Sequence, residues 1–219
     1  MVVFDYKRAM DLQRLLARSV LREFDSFPSL DFNNLRYIVG VDAAYHRDTM
    51  CGVAVLLDYR TRMVIREAVV YRKPAIPYIP GLLAFREAPA YINAIRKLGV
   101  KPDVIFVDGH GLSHPRALGI ATHVGLVLNT PSIGVAKKKL FGEIIRGGDA
   151  EYLRAHNRIV ARILTHKGSK LYVSVGYKIR LEDAIKLTQE LLTPHYKLPL
   201  PTALADQLSK KHIRRLKQK

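Results

Sequence analysis

A single cysteine, Cys51, occurs in 219 residues. One thiol excludes an intramolecular disulfide framework and any zinc site built from several thiolates. No apolar run approaches the ~18 residues a membrane span needs. The N-terminal segment meets charge at Asp5, before any stretch long enough for a secretory signal. Internal repeats, low-complexity tracts and Ser/Gly-rich linkers are absent. Acids are scarce too: 19 Asp and Glu stand against 36 Lys and Arg, a formal net charge of +17. The sequence pI is about 10.1.

What is present reads as one folded unit. Apolar residues make up 48% of the chain, ordinary for a globular protein and too many for a disordered one. The length suits a single domain over 1–219. These features predict a soluble, cytoplasmic protein. Such basicity points to a polyanionic partner, nucleic acid first; alternatively it only keeps the chain in solution. Basic runs occur at Lys137-Lys138-Lys139 and through 210–215, and a charge run by itself is usually a solvated face.

Hydrophobic periodicity predicts the elements. Residues 5–24 form an amphipathic helix with Leu12, Leu15, Leu16, Ser19 and Val20 on one face. An apolar strand over 36–42 follows. Strands over 51–58 and 63–71, with a turn at 58–61, complete an antiparallel meander. A helix over 81–97 is stopped by Gly99. A very apolar and therefore central strand lies at 102–107. A helix over 116–127 and a strand at 132–135 come next. A turn at 142–148 and a strand at 171–175 belong to a hairpin region. Helices over 181–192 and 203–215 end the chain. This order predicts an α/β fold, a mixed sheet with helices on its faces.

Asp42 closes the apolar strand 38–42, and Asp108 closes the strand 104–107. Catalytic and ligand groups gather at the carboxyl ends of strands in open α/β sheets. If the two strands are neighbours, two carboxylates meet, and like charges that close make sense around a cation. An oxygen-only seat favours Mg²⁺ or Mn²⁺. Either aspartate could instead cap a turn. Glu87 fits a surface pair with Arg86 or Arg96, and Pro89 two residues on predicts a kink or a helix start after it. Asp206 fits a solvated helix position. Gly109 and Gly111, in 108–116 with His114 and Arg116, permit close backbone approach to a ligand; a tight loop capped by Ser113 is the alternative. Lys137 suits a phosphate, a leaving oxygen or solvent. The stiff segment Pro77-Tyr78-Ile79-Pro80-Gly81 could insert between bases or simply pack on the core.

Together these stretches resemble the endonuclease V family of DNA-repair nucleases. The matching blocks are 39–45, 77–89, 108–119, 131–139 and 201–206, in family order and spanning about 8 to 210. The resemblance implies an RNase H-like fold. It implies that Asp42, Asp108, Glu87 and Asp206 form the acidic, metal-binding set, and that Lys137 lies near the scissile bond. Tyr78, Ile79 and Pro80 become a strand-separating wedge. Gly81, Leu83, Gly109, His114, Gly119 and Ile120 surround a flipped base. Relatives often carry an Arg where Ala203-Leu204 stand before Ala205-Asp206, which weakens the match at Asp206. The implied reaction is Mg²⁺-dependent hydrolysis of the second phosphodiester 3′ to a deoxyinosine, with Mn²⁺ substituting; a monomer is expected because nothing in the sequence marks an interface. The alternatives are an inosine-specific ribonuclease of the same fold and a nucleic-acid-binding protein without catalysis.

Overall fold

Period-two burial builds the sheet. In a computed structural model of the chain, residues 4–218 are described. Along β2 (Thr49–Asp58), Cys51, Val53, Val55 and Leu57 pack against Ala205, Leu208 and Ile213 of the last helix. Ala54 and Leu56 point the other way, into a cluster with Ala88 and Tyr91. The strand is covered on both faces, which is why it reads as one apolar run rather than an alternation.

β1 (Tyr37–His46), β2 and β3 (Val64–Arg72) form the expected meander. β4 (Val104–Asp108) pairs parallel with β1, and β5 (Ser132–Ala136) parallel with β4. α2 (Leu83–Lys97) and α3 (Ile120–Leu128) cover one face of this half. Strands β6 (Glu143–Gly147), β7 (Ala150–Ala155), β8 (Arg158–His166) and β9 (Ser169–Tyr177) extend the sheet antiparallel from β5. The order is β3-β2-β1-β4-β5-β9-β8-β7-β6. α1 (Tyr6–Glu23) and α4 (Leu181–Glu190) pack on the large core of the second half. α5 (Leu200–Lys217) covers the face of β1 and β2 opposite α2. This is the predicted mixed α/β sheet flanked by helices. Among the described residues, no helix is long and apolar enough to cross a membrane.

Four expectations need correction. Pro89 does not mark a helix start: it lies inside α2, which runs through it from Leu83 to Lys97. An interior proline costs about 3 kcal/mol, but the helix buries Ala84, Ala88, Tyr91 and Ile95. It also lies so close to β2 that a Cβ on Gly52 would stand 2.5 Å from Ala90 Cβ. Burial outweighs the missing hydrogen bond. Second, α3 begins at Ile120, not 116, because hydrogen bonds to other segments of the chain hold the preceding loop. Leu112 N–H donates to Val175 O (2.7 Å) and Ala121 N–H to His110 O (3.0 Å). Third, the expected turn at 142–148 is mostly strand β6, and the single strand at 171–175 belongs to a four-stranded antiparallel extension. Its turns carry positive φ at Gly148, His156, Asn157, Lys167 and Gly168, the geometry that short hairpins require. Fourth, α1 buries Ala9, Gln13, Ala17 and Val20, while Leu12 and Leu15 are exposed. Ala9, Gln13, Ala17 and Val20 face the core, with Leu16 and Leu21 packed partly against it; Leu12 and Leu15 do not.

Candidate active site

Asp42 does not end its strand; β1 runs on to His46. The residue still reaches the expected place. The parallel register pairs Val41 with Val107, so Asp42 lies level with Asp108 at the carboxyl end of β4. Asp42 shares the α5 face with Gly40, as its bond to Ser209 of that helix shows. Asp206 lies one turn before Ser209, whose hydroxyl donates to Asp42 Oδ2 at 2.7 Å. The Asp206 carboxylate accepts from Lys210 Nζ at 2.7 Å. Lys137, just past β5, donates Nζ to Asp108 Oδ2 at 2.8 Å. Two of the three aspartates are thus met by lysine ammoniums, and the third by a neutral hydroxyl.

Glu87 comes from α2, on the opposite face. Its Oε1 accepts from Tyr45 O–H (2.5 Å) and its Oε2 from Tyr91 O–H (2.8 Å). Burial raises its carboxyl above the usual range, and the two tyrosines pull against that rise. Arg86 lies over the Tyr45 ring at 4.6 Å, donates Nε to the Tyr45 hydroxyl and bonds Ile76 O. Among the described residues, no three His, Cys, Asp or Glu side chains converge closely enough to ligate one ion as they stand. The acids surround a common region rather than forming a closed cage.

The electrostatics show what that region favours. Burial pushes the Asp42 carboxyl up to about 7; Ser209 opposes this and the charges of Asp108 and Asp206 add to it. Burial pulls Lys137 down, but the Asp108 carboxylate, with Asp206 and Asp42, holds its ammonium above the ordinary range. A buried carboxylate between two like charges is relieved by a proton or by a cation. The donors are all oxygens, and Mg²⁺ takes one or two carboxylates and keeps several waters. Asp42 and Asp108 fit that requirement, with Asp206 and Glu87 adding negative potential.

Between about pH 4 and about pH 7 the folded chain keeps a proton on Asp42 that the unfolded chain has released. Stability therefore falls as pH rises through that window. In EDTA, the thermal midpoint is expected to drop more between about pH 5 and about pH 8 for the parent than for Asp42→Asn. Mg²⁺ at the higher pH should recover part of the parent's loss. Equal slopes for both proteins, measured by thermal melts, would refute the assignment.

Beside the acids opens a pocket of about 380 Å³. Its wall includes Tyr78, Gly81, Leu83, Asp108, Gly109, His114, Gly119, Ile120 and Lys137, all singled out in the sequence. Ile79 and Pro80 are not among the lining residues; Ile79 instead packs with Ile76 and Leu82. Tyr78 projects, 66% exposed. Close packing explains two glycines: a Cβ at Gly119 would stand 2.2 Å from the backbone oxygen of His110, and one at Gly109 2.6 Å from the Ile120 side-chain methyl Cγ2. Sequence reasoning missed Gln13, His110, Leu118 and Leu140, which also line the pocket. It missed Ser209 as the partner of Asp42. The Asp206–Ser209 spacing, one helical turn, was the available signal.

Comparison with known proteins agrees with this geometry. The sequence pattern of the family described as Endonuclease V matches residues 20–207. Endonuclease V of Desulfurococcus amylolyticus is 56% identical over 208 residues, covering 94% of this chain and 95% of that protein. The crystal structure of Streptomyces avermitilis Endonuclease V superposes with a TM-score of 0.86 at 34% identity, over 98% of this chain and 96% of that one. Ciona intestinalis Endonuclease V, solved with a 24mer DNA containing an inosine followed by a ribo-adenosine, shares the fold. Its TM-score is 0.80 at 24% identity, over 94% of this chain and 96% of that one.

Proposed function

This chain belongs to the endonuclease V family, and on that premise we propose that it recognises deoxyinosine in DNA and hydrolyses the second phosphodiester on its 3′ side, leaving 3′-hydroxyl and 5′-phosphate ends, with Mg²⁺ or, in its place, Mn²⁺. The observation that carries the reading is one continuous wall. The same pocket is lined by Tyr78 and Gly81 of the wedge loop and by Asp108 and Lys137 of the acidic region. A base held there lies beside the acids without touching all of them, so reading and cutting use neighbouring subsites. The DNA-bound Ciona protein, of the same fold, carries the kind of ligand this reading assigns.

Each group then has a task. Deaminated adenine pairs poorly with thymine, so extruding it costs less than extruding a normal base. Tyr78 fills the gap in the stack as the wedge, with Ile79 and Pro80 behind it. Gly81, Gly109 and Gly119 let backbone approach the extruded base; Leu83, His114 and Ile120 shape the walls. The pocket rejects guanine by offering no room for its exocyclic amine. Asp42 and Asp108 hold the metal, and Glu87 and Asp206 complete the acidic set. Bound there, Mg²⁺ would supply a water of lowered pKa and offset charge developing on the phosphate. Lys137, held by Asp108, presents its ammonium toward the phosphate oxygens. The basic tail 210–215 suits the DNA backbone. The protein is proposed to act as a monomer.

The deciding assay uses a duplex with one deoxyinosine. Strand nicking is expected in Mg²⁺ and none in EDTA. Metal-independent nicking, no nicking, or equal nicking of an undamaged duplex would sink the reading. Faster cutting of a riboinosine strand than its deoxy counterpart would move the substrate to RNA, since the 2′-OH is the discriminating group.

A further inference from the structure

We propose that Gln13 is a positioning residue: from α1 it locks the peptide joining the wedge loop to α2, and so fixes the wedge relative to the base pocket. The proposal deepens the reading above and rests on it for the role of the wedge. Gln13 is fully buried in the helix face made by Ala9, Ala17 and Val20. A glutamine at a core position needs partners for its amide, and this one finds them 68 and 105 residues away.

Its Nε2 donates to Gly81 O at 3.0 Å and to Leu118 O at 3.3 Å. Its Oε1 accepts from Arg116 Nε at 2.6 Å. Arg116 turns Nη2 onto the same Gly81 O at 2.8 Å. His114 completes the set, with Nε2 at 3.0 Å from Gly81 O. Because Arg116 N–H donates to His114 Nδ1 (3.1 Å), the imidazole proton sits on Nε2 and points at the carbonyl. Burial, then the Arg116 charge, holds this ring neutral by pushing its pKa down to about 4.

Three side chains therefore converge on one carbonyl. The other end of that peptide is held as well: Leu82 N–H donates to Ile79 O at 2.9 Å. Gly81 adopts φ +79°, and a Cβ there would stand 2.6 Å from Arg116 Nη2. The Gly81–Leu82 peptide cannot rotate while the clamp is intact. It is the joint between Tyr78-Ile79-Pro80 and α2. The same clamp ties Leu118, at the other side of the pocket, to the wedge. A wedge that must separate strands needs such a rigid base; a single strand offers nothing to separate.

The test compares parent, Gln13→Met, Arg116→Met and the double variant. Gln13→Met keeps the side-chain volume and removes the three bonds. Hydrogen exchange across 77–83 is expected to speed up by about ten-fold or more, with the rest of the sheet unchanged. In cleavage, kcat/KM on the deoxyinosine duplex should fall by about ten-fold or more, and by at least about three-fold more than on a deoxyinosine single strand, which needs the pocket but no wedge. The double variant should lose little beyond either single one, because both act through one carbonyl. Unchanged exchange in 77–83, or equal losses on duplex and single strand, overturns the proposal. If the parent cuts neither substrate, the functional reading fails, and the exchange experiment still decides the clamp. Should Gln13→Met not fold, Arg116→Met gives the same readouts with Gln13 intact.

Discussion

Asp108→Asn is expected to lower nicking of a deoxyinosine duplex by about 1,000-fold or more, a loss of roughly 4 kcal/mol of transition-state stabilisation. The asparagine keeps the shape and removes the charge. Three effects follow from the geometry. Lys137 Nζ loses the carboxylate it meets at 2.8 Å. Asp42 loses one of the two like charges that, with burial, raise its carboxyl to about 7. The all-oxygen seat loses one of its two best-placed carboxylates, and a hard divalent ion is held by such charge. DNA binding should not weaken, because removing an acid makes a protein of net charge +17 more basic. Gel-shift binding and nicking measured on the same preparation separate the two effects. Activity within about ten-fold of the parent would show that Asp108 is outside the chemistry.

Gly40→Val should damage the fold severely, costing at least about 3 kcal/mol. In β1, Gly40 faces α5 so closely that a Cβ there would stand 2.0 Å from Pro201 O and 2.2 Å from Pro201 C. Those are backbone atoms in the first turn of the helix, so no side-chain rotation relieves the clash. α5 must move, and it carries Asp206 and Ser209. For a chain of this size the thermal midpoint should fall by about 6 °C or more. Nicking at a temperature where the variant is still folded should also drop, since Ser209 no longer reaches Asp42 at 2.7 Å. A melt within about 2 °C of the parent would refute the close contact.

How much of this was legible in the sequence depends on how local each signal is. The meander, the strand ending at Asp108 and the last helices follow from periodicity, which depends on near neighbours alone. The second half of the sheet was harder. Strand β6 is largely exposed, so burial left little apolar pattern on it. The turn pairs His156-Asn157 and Lys167-Gly168 were the better guide there. Pro89 misled because the local cost of an interior proline is visible and the packing that outweighs it is not. Leu12 and Leu15 misled for the opposite reason: they complete an apolar stripe on paper, yet the helix turns its small side chains inward to approach the core closely.

The site divides in the same way. The residue types that serve it stand in the sequence: two aspartates after apolar runs, a stiff Pro-Tyr-Ile-Pro loop, a glycine-rich loop and a lysine after a strand. By themselves they determined the family likeness, the mixed α/β fold and the kind of chemistry. Tertiary structure alone decided which of them meet. It set Asp42 level with Asp108 through the parallel β1–β4 register and brought Ser209 to Asp42 across 167 residues. It placed Glu87 on the far face between two tyrosines. It also gave Gln13, unremarkable in its helix, three bonds around the wedge joint. The physical reason is range: hydrophobic period and turn chemistry act over a few residues, whereas burial, register and charge repulsion depend on what the folded chain places alongside.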